Sequence, residues 1–230
     1  HEIDKIELMP YETLDALLDR EALADFRASG LNPEHPVMRS TVQNPDVYFQ
    51  IREANNGFYD ALPEIVESYM EKISEITGRE YHLFNYYGAP DAEEIVIAMG
   101  SVSGAAREAV DWLNARGRKT GFIQVHLFRP FSVKHLMAAI PQSVKKIAVL
   151  DRCKEMGSNG EPLYQDICTA FASGGRDAVI TGGRYGLSSK DTDPAQLIAV
   201  FDNLAQKEPK NNFTIGIIDD FTILSVLAFG

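Results

Sequence analysis

A chain of 230 residues with 45% hydrophobic and 24% charged residues is long enough to bury a full core as one domain, or as one domain with an appended segment. The formal net charge is −11 and the pI is near 4.9, so the average surface repels nucleic acids and anionic membranes. No apolar stretch approaches the about 20 residues that span a bilayer. We therefore expect a globular chain with no nucleic-acid or membrane partner.

The two cysteines and the five histidines exclude several kinds of site. Cys153 and Cys168 are too far apart for a C-x-x-C motif, and no two histidines are spaced as metal ligands. Neither a zinc site nor an iron–sulfur cluster can be built from this chain alone. Two thiols without a secretory signal favour the reducing cytoplasm, where a disulfide is not expected. We predict no metal ligand and no catalytic residue in the chain.

The N-terminal part has helical and extended patterns. Apolar residues at helical spacing from about Tyr11 to Ser29 predict a helix or a pair of helices that ends at Gly30. Prolines and asparagines between Asn32 and Asp46 predict an extended loop. The segment Asp60–Thr77 is predicted to be a long amphipathic helix ended by Gly78.

From Glu93 onward short apolar runs alternate with amphipathic segments. The predicted strands are Ile95–Met99, Gly121–Phe128, Lys146–Leu150, Asp177–Thr181 and Phe213–Ile218. The predicted helices run from the turn Gly100–Gly104 to about Arg116, from Ser132 to Ala139, from Tyr164 to Phe171 and from Pro194 to Leu204. Strands separated by helices of about ten residues imply right-handed crossovers. The predicted fold is α/β, a Rossmann-like, mostly parallel sheet with helices on both faces, preceded by a mainly helical and extended N-terminal segment.

The carboxyl ends of parallel strands are where ligands and partners collect in such sheets. We call the segments that follow these strand ends the carboxyl rim, and they comprise Gly100–Ser103, Arg129, Asp151–Arg152 and Gly182–Lys190. The last segment is predicted to be a strand, a glycine turn and a helix, with Arg184 and Lys190 in the turn. Such a turn can hold an anion or a partner's backbone. Its spacing fits neither the Walker loop nor the dinucleotide fingerprint, so a purely structural turn is the alternative.

Three further residues of the carboxyl rim have two interpretations each. Arg129 precedes Pro130 at a strand end and can bind a carboxylate or a phosphate, or form a salt bridge with a neighbouring domain. Asp151 and Arg152 are adjacent and point to opposite sides of an extended chain, so they do not form a catalytic pair. A contact with a neighbouring domain is the simpler interpretation of Arg129 and of the adjacent Asp151 and Arg152. The histidines are predicted to be structural.

Six sets of motifs, in order along nearly the whole chain, resemble the homodimeric pyruvate:ferredoxin (flavodoxin) oxidoreductases. They are Asn32–Pro36, Gln43–Gln50, Gly88–Glu93, Leu127–Ser132, Asp151–Glu155 with Gly160–Tyr164, and Gly183–Lys190. Two positions depart from the family pattern, since threonine and proline are more common where this chain has Cys153 and Met156. The turn at Ser101 and Ser103 is also unusual, which puts a functional role for these serines in doubt.

The resemblance implies a division of the chain. Residues 1–86 are similar to the tail of the domain that holds the thiamine pyrimidine ring, and residues 87–230 to a second domain like the C-terminal domain of transketolases. His1 at the start and the apolar run Ile223–Phe229 near the end then predict a piece of a longer polypeptide.

The resemblance also implies what the full-length enzyme does. It would oxidatively decarboxylate pyruvate with coenzyme A to acetyl-CoA and CO₂, using thiamine diphosphate, Mg²⁺ and [4Fe–4S] clusters, and pass electrons to ferredoxin or flavodoxin. The present portion is expected to be a structural and interdomain scaffold within a homodimer. It is expected to bind no cofactor and to be inactive by itself.

Two alternatives remain open from the residues. The chain could be a module that binds coenzyme A or a nucleotide, with Arg184, Lys190 and Arg129 contacting the ligand or a neighbouring domain. It could also be part of the α chain of another 2-oxoacid:ferredoxin oxidoreductase.

Overall fold

The computed structural model describes residues 6–36 and 42–218. The chain divides into two compact units, one ending at Asn55 and the other beginning at Asn56. The apolar run Ile223–Phe229, one of the two features that predict a longer polypeptide, lies outside the described residues.

The part of the first unit that the structure describes contains three short helices, α1 (Tyr11–Leu17), α2 (Arg20–Ala28) and α3 (Pro45–Ala54). The predicted pair of helices before Gly30 is confirmed, and Leu18 and Asp19 separate the two helices. The Asp19 side chain accepts a hydrogen bond from the Ala22 N–H at 2.9 Å. The predicted loop through Asp46 is wrong at its end. Pro45 occupies the first helical position of α3, where its missing N–H removes no hydrogen bond.

The second unit begins with the 22-residue helix α4 (Asn56–Thr77). The predicted end is confirmed, because Gly78 adopts a φ of 68° and its N–H bonds to the Ser74 carbonyl at 2.8 Å. The helix begins four residues earlier than predicted. Val66 and Met70 pack against the core of the following domain.

Six strands of the described residues form one sheet. They are β1 (Phe84–Gly88), β2 (Glu94–Met99), β3 (Thr120–Val125), β4 (Lys146–Asp151), β5 (Val179–Arg184) and β6 (Phe213–Thr214), in the spatial order β1-β3-β2-β4-β5-β6. Strand β1 is antiparallel to β3, and every other pair is parallel. The predicted mostly parallel sheet is confirmed, and β1 is an additional edge strand.

Four more helices cover the two faces of the sheet. They are α5 (Ser103–Asn114), α6 (Val133–Ala139), α7 (Pro162–Gly174) and α8 (Pro194–Ala205). One core cluster packs α5 and α8 on one face, and the other cluster packs α6 and α7 with α4 on the opposite face. Ser132 caps α6 as predicted, with its side chain accepting from the His135 N–H. Among the described residues, no helix is long and apolar enough to cross a bilayer.

The strand that carries the glycines is longer than predicted. Strand β5 continues three residues past Thr181, so that Gly182, Gly183 and Arg184 lie in the strand and not in a turn. A Cβ on Gly183 would lie 2.2 Å from the ring of Phe213, and one on Gly182 would lie 2.9 Å from the ring of Tyr164. These glycines are therefore required by close packing of aromatic rings against the strand.

Candidate functional site

The carboxyl ends of β2, β4 and β5 are joined directly. The Tyr185 hydroxyl, just after β5, donates to the Met99 carbonyl at the end of β2 at 3.0 Å. The Tyr185 N–H donates to the Asp151 carbonyl at 3.1 Å. The Nε of Arg152 donates to the Gly186 carbonyl at 2.9 Å. The predicted gathering of these three rim segments is confirmed, and internal hydrogen bonds hold them together.

Arg184 is at the centre of a buried network. Only 5% of the residue is exposed, and its Nη1 lies 3.0 Å from the Glu161 Oε1. Its Nη2 donates to the Asn212 carbonyl at 2.8 Å, its Nη1 also bonds the Asn212 side chain, and its Nε donates to the Thr214 hydroxyl at 3.2 Å. All three guanidinium nitrogens are thus engaged within the domain. A ligand at Arg184 would have to displace Glu161 or Asn212.

Glu161 completes this network from the other side. Its second carboxylate oxygen accepts from the Glu155 N–H at 2.7 Å, and only 4% of the residue is exposed. A buried ion pair is tolerated when further hydrogen bonds offset the loss of hydration. The pair joins the loop before α7 to β5, and Arg184 carries the connection on to the loop before β6.

Asp151 holds the first turn of α7. Its two carboxylate oxygens accept from the Leu163 N–H at 3.0 Å and from the Tyr164 N–H at 3.1 Å. Burial raises the pKa of Asp151, and these two N–H groups oppose the rise. The expected interdomain bonding of Asp151 is wrong, because its partners are the free N–H groups of a neighbouring helix in the same domain.

Arg129 lies on the exposed part of the carboxyl rim. Its guanidinium is 2.7 Å from Asp166 of α7, stacks 3.9 Å from the centre of the Phe128 ring, and donates to the Phe128 carbonyl at 2.9 Å. The Arg129–Pro130 peptide bond is cis. A salt bridge does form, but its partner belongs to the same domain, and 56% of the side chain stays accessible.

Lys190 ends the segment that follows β5. Its backbone N–H donates to the Leu187 carbonyl at 3.1 Å, and no described residue pairs with its ammonium group. Ser188 and Ser189, just before it, have φ values of 53° and 60°. Of the three predicted contact residues, Lys190 and Arg129 are therefore exposed, whereas Arg184 is buried and fully bonded.

The comparisons agree with the resemblance. Residues 92–196 match the family model "Pyruvate:ferredoxin oxidoreductase core domain II", and residues 1–71 match the model "Pyruvate flavodoxin/ferredoxin oxidoreductase, thiamine diP-bdg". The pyruvate-flavodoxin oxidoreductase of Enterobacter agglomerans is 60% identical over 226 residues, which are 98% of this chain and 19% of that protein. The chain belongs to this family.

A second relative and one solved structure are also similar to this chain. The pyruvate:ferredoxin oxidoreductase of Moorella thermoacetica is 53% identical over 98% of this chain and 19% of its own length. The chain thus spans about a fifth of the length of these relatives. A 2-oxoglutarate:ferredoxin oxidoreductase from Magnetococcus marinus, solved with 2-oxoglutarate, coenzyme A and succinyl-CoA bound, has a TM-score of 0.50 at 16% identity. It covers 75% of this chain and 26% of that one, and it shows that the α/β fold is shared.

The side chains of this portion do not match the metal centres that the resemblance implies. A [4Fe–4S] cluster needs four thiolates, and the sequence has only two cysteines. Among residues 6–36 and 42–218, no three His, Cys, Asp or Glu side chains are grouped so that they could hold a metal ion.

Burial and neighbouring side chains determine the surroundings of both cysteines and of three histidines. Burial raises the pKa of Cys153 to about 11 and also raises that of Cys168, so both thiols are poor nucleophiles at neutral pH. Burial lowers the pKa of His126, with Arg107 adding to the effect. His82 pairs with Glu67 at 2.6 Å, and His135 with Ser132 at 2.7 Å.

The sequence reasoning missed Glu161 and Asn212, two of the three residues that engage Arg184. Glu161 is 23 positions before it and Asn212 is 28 positions after it, so no local pattern relates the three. One signal was available for Glu161, which precedes Pro162 at the start of a predicted helix. No comparable signal marks Asn212.

Proposed function

We propose that this chain is the scaffold portion of a pyruvate:ferredoxin (flavodoxin) oxidoreductase. The whole protein would convert pyruvate and coenzyme A to acetyl-CoA and CO₂ with thiamine diphosphate, Mg²⁺ and [4Fe–4S] clusters. It would act in the cytoplasm as a homodimer and reduce ferredoxin or flavodoxin. The single observation that carries the proposal is the 60% identity to a pyruvate-flavodoxin oxidoreductase over 98% of the chain.

The proposed division of labour follows the predicted domains. Residues 1–86 would complete the domain that holds the thiamine pyrimidine ring, and residues 87–230 would form the second, transketolase-like domain. The partners of both would be the remaining domains of the same polypeptide. The match of residues 1–71 to the thiamine-binding model and of residues 92–196 to core domain II supports this division.

The geometry of the carboxyl rim supports a scaffold more than a reaction centre. Asp151 binds backbone N–H groups, and Arg184 is saturated by Glu161 and Asn212. Catalytic groups in comparable sheets are aimed from the strand ends into an accessible cleft. Here the buried charges of the carboxyl rim tie loops and helix ends together.

Dye reduction tests the proposal. The 230-residue chain alone is expected to show no pyruvate-dependent reduction of a viologen dye, whereas the longer polypeptide is expected to reduce it when supplied with coenzyme A. Steady reduction by the chain alone would overturn the scaffold role. Absence of pyruvate oxidation by the longer polypeptide would overturn the activity.

The preferred substrate distinguishes a pyruvate enzyme from another 2-oxoacid:ferredoxin oxidoreductase. A longer protein that oxidises 2-oxoglutarate faster than pyruvate would belong with another 2-oxoacid:ferredoxin oxidoreductase. The 50–60% identity of several relatives named as pyruvate enzymes favours pyruvate.

Calorimetry distinguishes the scaffold from a module that binds coenzyme A or a nucleotide. A pure scaffold produces no binding heat with coenzyme A. If heat appears, Lys190→Ala and Arg129→Ala are expected to reduce it, because both side chains are exposed. Arg184→Ala tests the buried position separately, and its folding must be verified first.

A further inference from the structure

The loop between β4 and α7 contains an Asn–Gly pair with an exposed asparagine. Asn159 and Gly160 come after the end of β4 at Asp151 and before α7, and the Asn159 side chain is exposed. No described residue forms a hydrogen bond with this side chain. Glycine has no side chain to shield its backbone nitrogen, and it allows the backbone many conformations. The Asn159 amide and the Gly160 nitrogen can therefore react with each other.

The reaction available to this pair is deamidation through a cyclic imide. The Gly160 nitrogen bonds to the side-chain carbonyl carbon of Asn159 and loses its proton, and the amide nitrogen of Asn159 leaves as ammonia. Water then opens the five-membered imide at one of its two carbonyl groups, which leaves either aspartate or isoaspartate at position 159. Nothing is oxidised or reduced, and water is the co-reactant, so an exposed loop needs no cofactor for these steps.

Hydrogen bonds order the turn around Asn159 but leave the attacking nitrogen weakly bonded. The Ser158 hydroxyl donates to the Gly160 carbonyl at 2.8 Å. The Nε2 of Gln165 in α7 donates to the Ser158 hydroxyl at 2.7 Å and also to the Gly160 carbonyl. The Gly160 N–H contacts the Ser158 hydroxyl oxygen at 3.4 Å, which is long for a hydrogen bond. Little bonding is therefore lost when this nitrogen attacks Asn159.

Packing prevents a larger residue from protecting the pair. A Cβ at position 160 would overlap the ring of Tyr164, which lies against this glycine and against Gly182 of β5. A side chain at position 160 would slow the cyclisation by crowding the attacking nitrogen, but the Tyr164 ring leaves no room for one. The packing of the sheet domain therefore keeps a glycine directly after Asn159.

A second Asn–Gly pair has a similar exposure but a different backbone. Asn56 and Gly57 are both exposed, and they begin α4. Closure of the imide ring requires rotation about the Cα–C bond of the asparagine, and at Asn56 this rotation would open the first turn of the helix. Asn159 lies outside the described helices and strands, so its rotation breaks no helical hydrogen bond. The fold therefore favours the reaction at Asn159.

We propose that Asn159 is a modification site at which the chain deamidates to isoaspartate and aspartate. The change adds a negative charge two residues before Glu161, the buried partner of Arg184. Isoaspartate also places an extra carbon in the backbone just before Gly160, in the loop where Glu161 accepts from the Glu155 N–H. The isoaspartate form is expected to hold Glu161 less firmly. The proposal goes beyond the scaffold role and does not depend on the activity of the longer protein.

Peptide mass spectrometry after incubation at neutral pH tests the proposal, with Asn56 as the internal reference. Asn159 is expected to deamidate at least about tenfold faster than Asn56, because Asn56 reacts only after the start of α4 opens. Both the 230-residue chain and the longer polypeptide should show this preference. In urea the two asparagines should react at similar rates, since the fold no longer distinguishes them.

Asn159→Gln is the test variant, because glutamine keeps the amide but would have to close a less favourable six-membered ring. It is expected to remove most of the acidic forms that anion-exchange chromatography separates. Asn56→Gln is the matched control and should leave those forms unchanged. The proposal is overturned if Asn159 stays intact in the folded chain while it reacts in urea, if Asn56 reacts as fast as Asn159 in the folded chain, or if Asn159→Gln leaves the acidic forms in place.

Asn159→Asp separates the effect of charge from that of the extra backbone carbon. The Glu155 N–H should keep its hydrogen-exchange protection in this variant, and it should lose protection at least about tenfold in the isoaspartate fraction of the incubated chain. Equal protection in the isoaspartate fraction and in the unmodified chain would contradict the expected loosening of Glu161.

Discussion

The two units of the chain differ sharply in how much their helices bury. None of the side chains of α1, α2 and α3 is buried, and aromatic residues such as Tyr11, Phe26 and Phe49 are mostly exposed. In the sheet domain, α8 alone buries seven residues, which include Leu197 and Phe201. Both units are built from amphipathic helices, so hydrophobic pattern is not the difference.

The difference lies in what holds the helix ends and faces. Lys146 donates to the Leu204 carbonyl at 2.6 Å and to the Gln206 carbonyl at 2.8 Å at the end of α8, and Arg118 donates to the Phe201 carbonyl at 2.9 Å. Such bonds satisfy carbonyls that a helix leaves free. Isolated helices of seven to ten residues are unstable in water. The N-terminal unit therefore requires an apolar surface that its own helices do not supply.

Cutting the chain at the unit boundary is expected to have the largest effect. Residues 56–230 should unfold cooperatively with heat, and residues 1–55 alone should show little helical signal, because α1–α3 bury nothing that offsets their conformational entropy. Circular dichroism and amide hydrogen exchange of the two pieces measure this.

The intact chain is the control for that comparison. If exchange protection of α1–α3 in the intact chain equals that of α8, the contrast between the units is wrong. If residues 1–55 alone are strongly helical, these helices are stable without further burial. The contrast between the two units would then also be wrong.

Removal of Arg184 tests whether the buried charges stabilise the sheet domain. Arg184→Met leaves Glu161 buried without its cation, and we expect a loss of about 3–5 kcal/mol in the free energy of unfolding. The double variant Arg184→Met/Glu161→Leu should recover much of that loss. Urea unfolding at constant m-value measures both.

Lys119→Met is the control for Arg184. It breaks the Lys119–Asp91 pair, which has the short N···O distance of 2.6 Å but is exposed on both sides. The urea midpoint should not change, because exposed pairs contribute little. Equal losses in the two variants would mean that burial does not decide the strength of these pairs.

Sequence reasoning predicted the parallel core because its strands are continuous apolar runs, which are typical of strands covered on both faces. It missed β1, whose residues Phe84, Asn85 and Tyr86 alternate in polarity at an antiparallel edge and are followed by no crossover helix. It missed α3 because Pro45 was interpreted as a breaker, although proline is favoured at the first helical position.

The position of the candidate site was more predictable than its chemistry. Parallel strands and crossovers were enough to place the segments after β2, β4 and β5 at one edge. The pairing of Arg184 was not predictable, since it depends on β5 extending past Gly182 and Gly183 and on partners from two distant loops. The aromatic rings that lie against Gly182 and Gly183 belong to Tyr164 and Phe213, which are distant in sequence, so the local pattern does not report this packing.

The variant Asp151→Asn tests how the beginning of α7 is held in the sheet domain. Asparagine replaces one of the two acceptor oxygens with a donor, so one N–H of Leu163 or Tyr164 loses its partner, at a cost of about 1–3 kcal/mol at neutral pH. We expect α7 to lose exchange protection first, because its initial turn depends on these bonds.

The pH dependence has a definite sign. Burial raises the pKa of Asp151 above its ordinary value of 3.8, so the folded chain binds this proton more readily than the unfolded chain. The contribution of Asp151 to the free energy of unfolding therefore grows as pH falls from the folded pKa towards about 4. Because asparagine does not titrate, the stability difference between wild type and variant should widen over that range. If this stability difference narrowed instead, the hydrogen bonds from the Leu163 and Tyr164 N–H groups would lower the pKa of Asp151 more than burial raises it.

Two glycines test how closely the sheet domain is packed, and one of them has the smallest expected effect. Gly183→Ala puts a methyl group 2.2 Å from the buried ring of Phe213, and we expect a loss of about 1–3 kcal/mol. Gly104→Ala in α5 meets nothing within 4 Å, so it should stabilise the chain by about 0.5–1 kcal/mol through helix propensity. Opposite signs in thermal unfolding are the expected result. If both variants were neutral, β5 and β6 would be adjusting freely around the added methyl group, and the sheet domain would be less tightly packed than its buried aromatic rings indicate.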